Sequence, residues 1–177
     1  GDVYKRQLYN PVEEYLYDTG RWDGKDRIRA LADLVPCHNP HWQELFYRWF
    51  LGMVAHWRGM DRQHGNNTSP LLVGSQGFRK STFCRILLPP ELRFGYTDSI
   101  DFKSRQEAER SLGRFLLVNI DEFDQISINQ QGFLKHLLQK PVANLRKPYG
   151  STIREMRRYA SFIGTSNQKD LLSDPSG

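Results

Sequence analysis

Gly74-Ser75-Gln76-Gly77-Phe78-Arg79-Lys80-Ser81-Thr82 is the stretch that decides the fold. Glycines let backbone N–H groups close around anionic oxygens that side chains would obstruct. Lys80 follows Gly74 at the spacing of a phosphate-binding loop, with the Ser81 hydroxyl directly beside it. In such loops the lysine serves the β- and γ-phosphates and the hydroxyl serves magnesium. The whole run Gly74 to Thr82 is therefore the candidate nucleotide site. It lies between a short apolar strand, Leu71-Leu72-Val73, and a helix from Lys80 to Leu88 that ends at Pro89-Pro90. Arg79 departs from the pattern, which has glycine before the lysine. An arginine fits there if its backbone is already helical and its side chain points away. It then either adds a cation near phosphate or obstructs the loop. The plainer alternative is a glycine-bearing strand-to-helix turn with a surface lysine.

About forty residues on, Phe115-Leu116-Leu117-Val118-Asn119-Ile120 is apolar except for Asn119 and runs into Asp121-Glu122. A continuous apolar run of this length suits a central strand of a parallel sheet. Its carboxyl end is where ligands bind in open α/β sheets. Asp121 is the candidate magnesium ligand with Ser81, and Glu122 the candidate to orient or deprotonate water. A solvated acidic loop is the alternative, since Asp124 follows. Asn167, after the apolar run Ser161 to Thr165, is placed to position an attacking water, or simply to cap a turn. Glu122, Asn167 and Lys80 are the candidate catalytic residues.

Strand signals alternating with helical ones predict a parallel α/β sheet from residue 65 onward. Further helices are expected over Ser104 to Leu112 and Ser127 to Gln139, the latter with Ile128, Leu134, Leu137 and Leu138 inward. A hairpin is expected between Pro141 and Tyr159, around Pro148-Tyr149-Gly150. It carries Arg146, Lys147, Arg154, Arg157 and Arg158 against one acid, Glu155. Cations on a projecting ribbon suit phosphate contacts, and Tyr149 suits stacking on a base. Arg146, Lys147, Tyr149 and Arg154 are the candidate DNA contacts. A solvated charged face is the alternative.

Residues 8 to 64 read as a helical N-terminal region. Asn10-Pro11 starts a helix that Thr19-Gly20 ends, and Arg27 to Val35 has helical spacing. Asn39-Pro40 opens the clearest helix, with Trp42, Leu45, Phe46, Trp49, Phe50, Met53, Val54 and Trp57 in one unbroken stripe. Core packing explains such a stripe better than a base or cofactor box. Gly59 to Pro70 is polar and reads as a linker.

The 177 residues carry a net charge of +5, which permits an anionic partner without proving one. Two cysteines, Cys37 and Cys84, form no disulfide framework, so a reducing cytoplasm is expected. Cys37, His38 and His41 lack the second cluster that a zinc site needs. No apolar run reaches membrane-spanning length.

Both ends read as artificial. Asp2-Val3-Tyr4-Lys5-Arg6-Gln7 back-translates to the end of a transposon adapter used in sequencing libraries, so residues 1–7 are expected to be translated adapter. The run Ser173 to Gly177 is loop-like with nothing to close a domain, so a C-terminal truncation is expected as well.

Taken together, these residues resemble the virulence-associated protein E family, P-loop proteins of phages and mobile elements that look like relatives of superfamily 3 helicases. The resemblance rests on Trp22 to Ile28, Gly74 to Leu92, Tyr96 to Phe102, Asn119 to Asp124, Lys140 to Tyr149 and Ser161 to Gly177. Ile120-Asp121-Glu122-Phe123-Asp124 and Lys147-Pro148-Tyr149-Gly150 are its specific parts. It implies an incomplete P-loop NTPase core of the AAA+ and superfamily 3 type. It further implies ATP and Mg2+ as cofactors, single-stranded DNA gripped by the hairpin, a hexameric ring and a primase domain in the full-length protein. An arginine from a neighbouring subunit would complete the site. The function expected is that of a replicative helicase ATPase. A degenerate P-loop module that binds nucleotide or DNA without hydrolysis is the alternative, and a small-molecule kinase is disfavoured by the adjacent Asp121-Glu122 pair.

Overall fold

The computed structural model describes residues 10–146 and 152–167. Three helices come first: α1 (Pro11–Asp18), α2 (Arg27–Ala32) and α3 (Trp42–Trp57). They are followed by β1 (Leu71–Val73), α4 (Lys80–Ile86), β2 (Tyr96–Thr97), α5 (Arg105–Arg114), β3 (Leu117–Ile120), α6 (Ile128–Gln139), the ribbon β4 (Val142–Arg146) and β5 (Ile153–Arg157), and β6 (Ser161–Ser166). Short 3-10 turns span Pro90–Gly95 and Phe123–Gln125. The four strands β1, β6, β3 and β2 form a wholly parallel sheet in that order. This is the parallel α/β fold that the sequence predicts. β2 was not foreseen, because two residues carry no periodicity.

Local chemistry sets the helix starts. The Asn10 side chain accepts from the Val12 and Glu13 amides, with Pro11 pre-set for the first turn. Ser104 caps α5 through the Glu107 amide. Ser127 and Gln130 form a reciprocal capping box at α6.

The stripe on α3 is a core stripe. Phe46, Trp49, Met53 and Trp57 are buried, and they share one apolar cluster with Leu72, Leu116, Leu117 and Ile163 of the sheet region. Trp57 Nε1 donates to the Leu116 carbonyl at 3.3 Å, which ties the helix to the entrance of β3. Leu45 and Ile128, both expected inward, are exposed instead. Leu45 falls at the edge of its stripe. Ile128 is the first residue of α6, where the helix has not yet turned onto the sheet.

The polar stretch 59–70 contains no helix or strand, yet it is stitched down. Buried Asn66 donates to the Trp49 carbonyl at 3.1 Å and to the Ser161 hydroxyl at 2.9 Å. Ser69 donates to the Phe162 carbonyl at 2.8 Å. Gly65 lies so close to α6 that an added Cβ would sit 2.3 Å from the Leu138 carbonyl oxygen.

β4 and β5 pair antiparallel in the register Ala143↔Met156 and Leu145↔Arg154, as expected of the hairpin. The expected tip, with Lys147 and Tyr149, lies outside the described residues, as does the Arg146 side chain. Arg154 is exposed. Arg157 and Arg158, counted from sequence among the cations of the ribbon, are both engaged. Arg158 is 1% exposed and donates to the carbonyls of Ala160, Leu137, Leu138 and Lys140. Arg157 donates to the Trp57 carbonyl and lies over the Tyr159 ring. Both clamp the root of the ribbon, because the exposed carbonyls at a helix C-terminus attract a cation.

Candidate active site

Parallel pairing assembles the site. β1, β3 and β6 run side by side, with Val73 opposite Ser166 and Ile120 opposite Gly164. Their carboxyl ends therefore deliver Gly74, Asp121 and Asn167 to one edge of the sheet. A cleft of about 340 Å³ opens there, lined by Gln76, Gly77, Arg79 to Thr82, Asp121, Glu122, Thr165, Ser166 and Asn167. Three motifs far apart in sequence meet in one place.

Lys80 is half-buried in this cleft. Its ammonium donates to the Gly74 carbonyl at 2.6 Å, the Ser75 carbonyl at 2.9 Å and Asn167 Oδ1 at 3.0 Å. Gly74 and Ser75 thus hold the lysine rather than line the cleft, and the Phe78 side chain projects into solvent. Gly77 has φ +91°, a conformation that favours glycine. Arg79 has φ 55° and ψ 30°, a left-handed conformation at the cap position of α4. The condition under which an arginine is expected to fit, a helical backbone, is not met: the arginine occupies the geometry for which the usual glycine is suited. Arg79 is among the residues that line the cleft.

The Ser81 hydroxyl donates to Asp121 Oδ1 at 3.0 Å, and the Thr165 hydroxyl donates to the same oxygen. The donor set is all oxygen, with a single carboxylate. That suits Mg2+, which keeps water and phosphate oxygens in its remaining positions. Glu122 follows in a left-handed conformation, φ 50°. Strained non-glycine backbone of this kind clusters at functional sites.

Thr165 and Asp124 were not singled out from sequence. Asp124 Oδ1 accepts from the Ser166 hydroxyl and the Asn167 amide, and the bond from Ser166, followed by one from Gln125 to its other oxygen, holds its carboxyl below the usual range. The available signal was a pair of polar residues, Thr165 and Ser166, ending an otherwise apolar strand. Beneath the cleft lie Cys84, Tyr96 and Asn119. Burial pushes the Cys84 thiol up to about 12, aided by the negative charge of Asp121. Tyr96 is likewise pushed up to about 12, chiefly by burial, and accepts from Asn119 Nδ2 at 3.2 Å. Neither is poised as a nucleophile at neutral pH.

Among the described residues, no group of three or more His, Cys, Asp or Glu could hold a metal ion, and no helix is long and apolar enough to cross a membrane.

Comparison with known proteins follows the same lines. No curated protein matches the chain in sequence. Among solved structures, the A form apo structure of the NrS-1 C terminal region superposes with a TM-score of 0.54 at 15% identity, over 85% of this chain and 35% of that one. The apo structure of NrS-1 C terminal region (305-718) gives 0.51 at 16%, over 81% and 34%. The chain thus spans about a third of those structures, and at these identities the likeness concerns the fold. Residues 16–177 match the virulence-associated protein E-like domain. The chain belongs to the virulence-associated protein E-like domain family.

Proposed function

We propose that this domain is the Mg2+-dependent ATPase core of a replicative helicase or primase-helicase of a phage or mobile element, acting on single-stranded DNA. The observation that carries the reading is the 3.0 Å contact between the Ser81 hydroxyl and Asp121, with Lys80 and Asn167 joined in the same cleft. Magnesium, when bound, supplies positive charge to the phosphate oxygens. Ser81 and Asp121 hold it, and Lys80 exchanges its carbonyl partners for phosphate. Glu122 accepts a proton from the attacking water, and Asn167 orients that water. The hairpin supplies the DNA contacts through Arg146, Lys147, Tyr149 and Arg154. Assembly into a hexameric ring, with an arginine from a neighbouring subunit, and linkage to a primase domain are part of the same reading.

The left-handed Arg79 favours a second reading: a module that binds nucleotide without turning it over. Calorimetry with Mg-ATP on the chain and on Lys80→Ala tests binding. Phosphate release with and without single-stranded DNA then separates the readings. Binding lost in Lys80→Ala, with DNA-stimulated release, supports the ATPase. Binding without release supports the module.

A further inference from the structure

Arg79 holds a conformation that L residues with a side chain adopt at a cost, φ 55° and ψ 30°. Glycine would adopt it freely. What the sequence gains for that cost is an arginine among the residues that line the cleft shared by Lys80, Ser81, Asp121, Glu122 and Asn167. Among the described residues this guanidinium has no hydrogen-bond or ion-pair partner. Several other arginines are engaged, such as Arg27 with Asp23, Arg29 with Asp26 and Glu44, Arg110 with Glu107 and Arg158 with four carbonyls. Arg21, Arg58, Arg62, Arg85 and Arg154 also lack a partner among the described residues, but of these unpaired arginines Arg79 alone lines the cleft. Lys80, meanwhile, is a single point charge that must give up carbonyl acceptors to reach phosphate. A planar guanidinium donates to two oxygens at once, which an ammonium does not do in fixed geometry.

We infer that the Arg79 side chain is a second phosphate-binding cation, supplied from within the loop itself, that contacts the phosphate chain of a bound nucleoside triphosphate. The assignment rests on the nucleotide-binding reading above and goes beyond it. The loop would then use a side chain where its usual form offers only backbone. The left-handed turn directs that side chain over the cleft, and the strain is the cost of its placement.

The test compares two substitutions that separate charge from strain. Arg79→Gln keeps a side chain at the strained position and removes the charge. Arg79→Gly removes both. Mg-ATP affinity is measured by calorimetry at low and high salt on the full chain, alongside Lys80→Ala, with a melting curve for each. The expected result is about tenfold weaker Mg-ATP binding in both Arg79 variants, as for a lost charge-assisted hydrogen bond. The loss should shrink as salt rises. Arg79→Gly should meanwhile melt a few degrees higher, because its backbone is relaxed. Weaker binding with higher stability is a pairing that a purely structural arginine does not produce. Unchanged or tighter binding in both variants, with binding still lost in Lys80→Ala, overturns the assignment and leaves the nucleotide site standing. Absence of Mg-ATP binding in the folded parent chain overturns both.

Discussion

Asp124 accepts the Ser166 hydroxyl at 2.8 Å, a bond that locks the turn after β3 to the end of β6. The Asn167 amide, at 3.5 Å, leans on the same oxygen. Asp124 therefore holds the backbone at Asn167, whose side chain accepts from Lys80, without itself lining the cleft. On the proposed ATPase function, replacing it with alanine should lower the ATP hydrolysis rate about tenfold while Mg-ATP affinity stays within about twofold, the pattern of a lost transition-state alignment. Asp124→Asn keeps an acceptor oxygen and should recover most of the rate. Steady-state kinetics on the three proteins decides it.

Arg158 should govern stability and not DNA affinity. Alanine there would leave the carbonyls of Leu138 and Lys140 without their donor and that of Leu137 with the Lys140 amide alone. A loss of about 3 kcal/mol is expected in chemical denaturation. By contrast, Arg154 is exposed on the ribbon. Arg154→Ala should leave the melting curve alone and weaken single-stranded DNA binding, with a shallower salt dependence. Equal effects of the two substitutions on DNA binding in folded protein would contradict this division.

His56 makes stability depend on acid. It is buried at the end of α3, and burial, with nearby Arg158, lowers its pKa from 6.5 to about 4. The folded chain keeps the ring neutral while the unfolded chain protonates it at the ordinary value. The contribution is thus fully present above about pH 6.5 and is lost as pH falls toward 4. Up to about 3 kcal/mol is at stake across that window. His56→Gln should flatten the pH dependence of unfolding between those limits; an unchanged slope would place the titrating group elsewhere.

Gly65 lies against the C-terminal carbonyls of α6, where an added Cβ would come within 2.3 Å of backbone oxygen. Backbone cannot rotate aside as a side chain can. Gly65→Ala should destabilise the chain by about 2 kcal/mol. Gly132, whose Cβ would meet nothing within 4 Å, is the matched control in which alanine is neutral or mildly stabilising.

The parts of this molecule that were legible in the sequence are those with strong local signatures. The loop from Gly74 to Thr82, the strand running into Asp121, the helix starts at Asn10, Ser104 and Ser127 and the stripe of α3 all announce themselves within a few residues. The rest depends on contacts made across the fold. Nothing local distinguishes Arg154, which is exposed, from Arg158, which is buried under four carbonyls, since both stand in one basic run. Nothing local shows that the Thr165 hydroxyl reaches Asp121, because the two residues meet only when β3 and β6 pair. The left-handed turn at Arg79 was likewise hidden: the departure from glycine was plain, but its direction over the cleft was not.

β6 begins just after the clamped ribbon root and ends beside Asn167, and all six of its residues are buried. At the usual rise of a strand it covers roughly 20 Å. β3 pairs with its residues 161–164 and β1 with its residues 164–166, so the two neighbours together hold its whole length, and a strand held this way and buried throughout does not readily stretch or buckle. It therefore behaves as a ruler laid between two landmarks. Whatever displaces one of its ends must slide the whole strand against β1 and β3, so the span between ribbon and cleft stays constant even when their positions do not.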